Sequence, residues 1–182
     1  MTKDERIGLY NIVAKQYPEI GISSEVLDAM GFFTAPASSK YHGNYEGGLF
    51  DHSYQVYKRL NELTKKNNLH WGSEASPFVV GMFHDICKCD QYIEVKPGLD
   101  FTYEEPVYEY NKNLLLTGHG DKSVILLAQH FRLTEEEVLC IRYHMGAYEK
   151  DDWSGFDMAI RKYPNVLWTH MADMLASKVD DV

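Results

Sequence analysis

Apolar residues recur at helical spacing along most of this chain. In the first such segment Ile7, Tyr10 and Val13 share one face, and Pro18 and Gly21 follow where the pattern stops. A Thr-Glu-Glu-Glu sequence at residues 134–137 is a capping box that opens a later helix. The pattern predicts helices over residues 4–17, 23–30, 49–65, 118–131, 134–145, 157–162 and 164–178, and one that starts at residue 76 and carries residues 84 and 85 near its end.

Two segments depart from helical spacing. Residues 31–48 form a long irregular stretch, and a loop of this length in a compact domain is more often functional than idle. Residues 91–111 hold short β-prone runs around a Lys-Pro-Gly turn, which predicts a small hairpin from Tyr92, Ile93, Val95, Lys96, Pro97, Gly98, Phe101, Tyr103, Val107 and Tyr108. We therefore predict one all-α domain over residues 1–182, a mainly helical bundle with a β-hairpin insertion around residues 91–110.

The composition and net charge limit the kinds of protein that this chain can be. With 182 residues, 45% of them hydrophobic and 25% charged, the chain is long and apolar enough to bury a core. A net charge of -9 argues against stable binding to duplex DNA, although a local cationic pocket for one phosphate remains compatible with it. Three cysteines, a polar start and no apolar run near the roughly 20 residues of a membrane span predict a soluble cytoplasmic protein without a membrane partner.

Candidate chemistry is concentrated where His84 and Asp85 adjoin in an almost wholly apolar run, residues 77–87. Burying an ionisable pair there is costly unless something compensates it, and a metal ion does so by neutralising the carboxylate and using the imidazole as a ligand. Further His and Asp residues lie on core-directed faces of other predicted helices, and bundles build metal sites from such facing helices. The resulting candidate metal ligands are His52, His84, Asp85, His119, His144 and Asp173.

Taken singly, each candidate has a plainer interpretation. A lone histidine on an apolar face is more often a satisfied core residue, and a lone buried aspartate is often a cap or an ion-pair partner. The recurrence of six such residues weakens those interpretations. Cys87 and Cys89 form a Cys-x-Cys pair, but without further ligands at finger spacing a small buried residue is the better interpretation of each.

These residues resemble the motif of the HD-superfamily phosphohydrolases: a histidine (His52), a later His-Asp pair with a following lysine (His84, Asp85 and Lys88), and a distant aspartate on a final helix (Asp173). The resemblance covers roughly residues 33–176. Residues 33–43, 45–49, 118–123 and 142–146 are similar to those of small bacterial and phage HD proteins, most of them uncharacterised. Where the family often has glycine before the lysine, Cys87 stands here.

The resemblance implies a two-metal centre with Asp85 bridging the ions, the first completed by His52, His84 and Asp173 and the second by His119 and His144. The mixed N/O ligand set suits one or two divalent transition-metal ions, Fe, Mn, Zn, Co or Ni, better than Ca. The implied activity is hydrolysis of a phosphodiester or phosphomonoester in a nucleotide, cyclic nucleotide or short oligonucleotide by metal-activated hydroxide. Asp85 and Lys88 would be the catalytic residues.

Substrate contacts are predicted from position. Lys88 lies one turn after His84 and can reach the same cavity, while His42 and Tyr45 lie in the irregular segment before His52. Lys40 and Lys122 adjoin motif residues, and aromatic residues of the loop and hairpin offer surfaces for a nucleobase. The predicted substrate-binding residues are Lys40, His42, Tyr45 and Lys122, and His170 is a candidate outer partner of the ligand set.

Three alternatives remain open at this point. A one-metal enzyme would use His119 and His144 for substrate instead of a second ion. A di-iron oxygenase of the same fold would hold its ions with a similar six-ligand set. A nucleotide-sensing module without turnover would be expected to have lost ligands, whereas this chain keeps all six and the lysine.

Overall fold

The computed structural model describes residues 1–95, 107–146 and 152–182. These residues form eight α-helices, one short 3₁₀ helix and two strands. The elements are α1 (Lys3–Ala14), α2 (Ser24–Met30), α3 (Gly48–Asn67), α4 (Ser76–Phe83), the 3₁₀ helix (Ile86–Cys89), β1 (Tyr92–Val95), β2 (Val107–Tyr110), α5 (Gly120–Leu127), α6 (Glu135–Arg142), α7 (Trp153–Lys162) and α8 (Asn165–Lys178).

The mainly helical fold class with a small β insertion is confirmed. Strands β1 and β2 pair antiparallel, with Tyr92 opposite Tyr110 and Val95 opposite Val107. The predicted Lys96-Pro97-Gly98 turn, and the aromatic residues Phe101 and Tyr103, lie outside the described residues. In the part of the chain that is described, no helix has the length and apolar character needed to cross a membrane.

Capping explains where several helices begin. At α1 the Thr2 side chain accepts from the main-chain N–H of Glu5, whose carboxylate accepts from the Thr2 N–H. Thr134 and Glu137 make the same reciprocal pair at α6, as the sequence predicts. Each box satisfies two N–H groups that the first turn of a helix leaves without an intrahelical acceptor.

Helix α3 is the centre of the bundle, because it packs against both α4 and α8. Its approach to α4 is very close: a Cβ on Gly81 would lie 2.4 Å from the Cα of Tyr57, so only glycine fits there. Aromatic rings fill the core around this contact, among them Phe32, Phe33, Phe50, Phe78 and Phe83. The packing of α3 against α4 and α8 brings His52 close to Asp173 and to the end of α4.

Three predicted helix ends were wrong, and four candidate ligands lie at those ends. Helix α4 ends at Phe83, α5 begins at Gly120 and α6 ends at Arg142, so residues 84, 85, 119 and 144 lie just beyond helices instead of within them. The rings of His84 and His144 each bond a main-chain carbonyl three residues earlier, Gly81 and Ile141. Such side-chain contacts to the local backbone compete with continuation of the helix.

Candidate metal centre

The six predicted ligands converge on one buried point of the bundle. His52 comes from the second turn of α3 and Asp173 from α8, while the remaining four flank α4, α5 and α6. Asp85 lies at the centre with only 2% of its surface exposed, and His52, His84 and His144 are fully buried. Five separate segments of the chain therefore contribute side chains to one small volume.

We call His52, His84 and Asp173 the Oδ2 group, because the two histidines face the Oδ2 atom of Asp85 and Asp173 faces the two histidines. The Nε2 atoms of His52 and His84 lie 3.7 Å and 3.5 Å from Asp85 Oδ2. The two Nε2 atoms are 3.3 Å apart, and His52 Nε2 lies 3.1 Å from Asp173 Oδ1. Two imidazole nitrogens and two carboxylate oxygens thus face one another closely.

The other oxygen of Asp85 faces a second pair of histidines, which we call the Oδ1 group: His119 and His144. Their Nε2 atoms lie 3.0 Å and 3.3 Å from Asp85 Oδ1. Their ring centroids are 4.9 Å apart. One carboxylate therefore contacts two different sets of nitrogen donors through its two oxygens.

Main-chain oxygens hold three of the rings in one tautomer. Nδ1 of His84 lies 2.9 Å from the main-chain oxygen of Gly81, and Nδ1 of His144 lies 2.6 Å from that of Ile141. Nδ1 of His52 lies 2.8 Å from the main-chain oxygen of Val182. Because a carbonyl oxygen only accepts, each Nδ1 carries the proton. The Nε2 lone pair of each ring then faces the centre, which is the arrangement that metal-binding histidines use.

The donor set fits a divalent transition metal. Ligand atoms about 2.1 Å from one ion, at tetrahedral or octahedral angles, lie about 3.0–3.4 Å apart. Two separations in the Oδ2 group fall in that range. His52 Nε2 lies 3.3 Å from His84 Nε2 and 3.1 Å from Asp173 Oδ1. The buried atoms Asp85 Oδ1 and His144 Nε2 make no hydrogen bond within the described residues, and such atoms are costly without a partner.

Electrostatics favour the charged form of Asp85 and Asp173 and the neutral form of His84, which are the forms that bind a metal ion. Burial raises the pKa of Asp85, but Lys88 and the neighbouring histidines lower it by more, to well below its usual value. Burial lowers the pKa of His84 to about 3. Burial raises the pKa of Asp173, and the adjacent His52 lowers it below its usual range. At neutral pH the carboxylates are charged and the ring of His84 is neutral.

Lys88 is the cation closest to the centre. It lies in the 3₁₀ helix, only 7% exposed, with Nζ 2.7 Å from Asp85 Oδ2. Burial lowers the pKa of this ammonium, but the Asp85 carboxylate raises it above its usual value. This contact places the Lys88 ammonium beside the candidate ligands.

His42 lies against the Oδ2 group from the irregular segment. Its ring centroid is 5.0 Å from that of His52, and its buried Nδ1 has no hydrogen-bond partner among the described residues. Burial lowers the pKa of the His42 ring to about 4. A neutral ring with one unused nitrogen beside the centre can bond an incoming ligand.

The other predicted substrate contacts lie elsewhere. Lys40 is exposed, and the hydroxyl of Tyr45 donates to Asp51 Oδ2 over 3.2 Å. Lys122 is almost fully buried with its ammonium paired to Asp90. Its charge is already balanced by that carboxylate. The structure therefore brings His42 to the six ligands, whereas the contacts of Tyr45 and Lys122 are with other residues.

Two contacts to the ligands were missed by the sequence reasoning. Cys87 Sγ lies 3.3 Å from His119 Nδ1, and the Asp85, Cys87 and His119 donors form a second possible metal-binding group. Since His119 Nε2 already faces Asp85, this thiol lies at the opposite nitrogen of the ring and suits an outer partner. The hydrogen bond from His52 to Val182 joins residues 130 positions apart, and no local sequence pattern predicts it.

His170 also contacts the ligand set from outside, through the backbone of His144. Its Nδ1 donates to the main-chain oxygen of His144 over 2.7 Å, which supports the turn that follows α6. A Cβ on Gly146 would lie 3.0 Å from the His170 ring, so the turn and the ring are closely packed. His170 thus steadies the backbone that presents a candidate ligand.

Comparison with known proteins identifies no relative: no family model, no curated protein and no solved structure matches the chain. The buried His and Asp groups can bind a metal ion and are compatible with an HD domain. The donor atoms of His52, His84 and Asp85 form one group that could hold an ion, and those of Asp85, Cys87 and His119 form another.

Proposed function

We propose that this protein is a metal-dependent phosphohydrolase of the HD type that holds two divalent transition-metal ions. One observation carries the proposal: the two oxygens of Asp85 face two different sets of histidine nitrogens, at 3.5–3.7 Å on one side and 3.0–3.3 Å on the other. In that position Asp85 would contribute one oxygen to each of two ions. Two-metal sites of this kind suit displacement at phosphorus.

The residues would divide between the ions as the two groups do. The Oδ2 group would hold the first ion with Asp85 Oδ2, and the Oδ1 group would hold the second with Asp85 Oδ1. Bound ions of this kind lower the pKa of water toward about 7 and so supply a hydroxide nucleophile at neutral pH. Imidazole with carboxylate suits Fe, Mn, Zn, Co or Ni.

The positions of Lys88 and His42 favour a phosphorylated substrate. The Lys88 ammonium pairs with Asp85 Oδ2. If metal ions neutralised that carboxylate, the Lys88 ammonium would be able to bind a phosphate oxygen. His42 would donate or accept one further hydrogen bond at the same side. A buried cation matters here because the chain as a whole carries a net charge of -9. The substrate would be a nucleotide, cyclic nucleotide or short oligonucleotide.

A hydrolysis screen on Mn²⁺-loaded protein tests the proposal. The panel holds a generic phosphodiester, a phosphomonoester, nucleoside mono- and triphosphates, cyclic nucleotides and short RNA. Asp85→Asn removes the bridging charge while keeping its shape, and Asp157→Asn is the matched control because Asp157 forms an exposed ion pair with Arg161. We expect turnover in the wild-type and Asp157→Asn proteins and none in Asp85→Asn.

The competing functions give different results in the same experiment. A one-metal enzyme would turn over substrate with one ion per chain. A di-iron oxygenase would leave the panel intact but consume oxygen when loaded with iron. A nucleotide-sensing module would bind a panel member without changing it. If folded, metal-loaded protein hydrolyses no compound in the panel, the hydrolase proposal is contradicted.

A further inference from the structure

The final residues of the chain fold back onto the helix that carries His52. Asp180 accepts from Arg59 Nε over 2.7 Å and from Arg59 Nη2, forming a two-pronged ion pair. Gln55 Nε2 donates to the same carboxylate over 2.7 Å. Gln55 and Arg59 lie three and seven positions after His52 on α3, so all three share one face.

This fold-back ends on the imidazole of His52. The main-chain oxygen of Val182 accepts from His52 Nδ1 over 2.8 Å, and the Val182 N–H donates to the oxygen of Ala176 over 3.3 Å. Residues 180–182, which we call the strap, therefore connect α8 back to α3. These are the helices that carry Asp173 and His52, the two members of the Oδ2 group in closest contact with each other.

His52 needs such a partner because of where it lies. His84 and His144 follow helix ends, and each bonds a carbonyl three residues earlier. His52 lies inside α3, where main-chain carbonyls are engaged by the helix itself. A partner for its Nδ1 has to come from another part of the chain, and the strap provides it.

We propose that the strap fixes the tautomer and the orientation of His52, with Asp180 as its anchor, and so sets the affinity of the Oδ2 group for its ion. Val182 and Asp180 are positioning residues in this proposal, since neither would bind the ion itself. The effect on affinity rests on the proposed metal function. The effect on the His52 tautomer does not.

Two variants test the strap. Asp180→Ala removes the anchor, and a chain that ends at Val179 removes the strap altogether. Glu62→Ala is the matched control, because Glu62 is the other carboxylate bonded to Arg59, at 2.9 Å, and makes no part of the strap. Asp180→Glu keeps a carboxylate and should restore much of the wild-type behaviour. Thermal unfolding of each variant identifies any that fails to fold.

The first measurement is made on metal-free protein. Long-range ¹⁵N–¹H NMR of the histidine rings reports which nitrogen of His52 is protonated. We expect an Nδ1 proton in the wild-type and Glu62→Ala proteins, and exchange between tautomers in Asp180→Ala and in the shortened chain. An unprotonated Nδ1 in folded wild-type protein, or an unchanged tautomer in the shortened chain, overturns the proposal.

The second measurement is a titration with Mn²⁺ alone. Loss of an outer partner of a metal-binding histidine costs about 10–100-fold in affinity, so we expect that weakening at one of two ions in both strap variants. Wild-type affinity in the shortened chain overturns the proposal. Absence of Mn²⁺ binding in the wild-type protein would defeat the metal function instead, and the tautomer measurement would then still decide whether the strap positions His52.

Discussion

The two groups around Asp85 are built differently. In the Oδ2 group, His52 and Asp173 lie inside long helices and are enclosed by packing, with His52 wholly buried. In the Oδ1 group, His119 and His144 lie beyond helix ends, and the His119 side chain is 16% exposed. A site enclosed by packed helices opens less readily than one presented by turns. We therefore expect an ion in the Oδ1 group to exchange faster.

The largest effect is expected from substituting Asp85, the residue that contacts both groups. Asp85→Asn should abolish binding at both groups and lower turnover by about 10³-fold or more, since losing a single stabilising group in an active site costs about 10²–10³. Metal content by elemental analysis and turnover on the best substrate check this. A variant that keeps both ions would show that Asp85 is no bridge.

Removing one ligand from each group separates them. His52→Asn and His119→Asn should each leave one ion per chain, and the ion kept by His52→Asn should exchange faster with a chelator than the ion kept by His119→Asn. Loss of a direct ligand should exceed the about 10–100-fold effect of losing an outer partner. Equal exchange rates in the two variants would remove the distinction between the groups.

Two buried lysines provide the next contrast. Lys88→Gln should lower kcat/KM by about 10²-fold with metal content unchanged, because its ammonium is the cation beside Asp85. Lys122→Gln should lower stability and leave KM unchanged, because Asp90 already neutralises that lysine. Steady-state kinetics with thermal unfolding distinguish these effects. A raised KM in Lys122→Gln would restore its predicted role in substrate binding.

The smallest effect concerns the packing behind the Oδ2 group. Gly81→Ala would force α4 away from Tyr57 and should cost about 1–3 kcal/mol, with weaker binding of the ion at the Oδ2 group. Gly8→Ala is the control: a Cβ there meets nothing within 4 Å in α1, and alanine should stabilise the helix by about 0.5–1 kcal/mol. Urea unfolding measures both changes. A neutral Gly81→Ala would show that the contact between α3 and α4 can relax.

Some features of the site could be predicted because they depend on local chemistry. The Thr134 capping box, the hairpin strands and the adjacency of His84 and Asp85 are all determined over a few residues. The helix ends at His84 and His144 were not predicted, because the apolar pattern continues past them. There, a ring bond to a nearby carbonyl competes with the next turn of helix.

Local patterns in the chain are enough to indicate a mainly helical fold with a small hairpin, and to single out six His and Asp residues, each of which would be costly to bury alone. How these six residues face one another depends on the packing of distant segments. The division of ligands between the two oxygens of Asp85 and the pairing of Lys122 with Asp90 depend on how separate segments pack. So does the bond from His52 to Val182. Contacts between residues far apart in the chain leave no periodic signal, because they depend on packing angles and not on spacing.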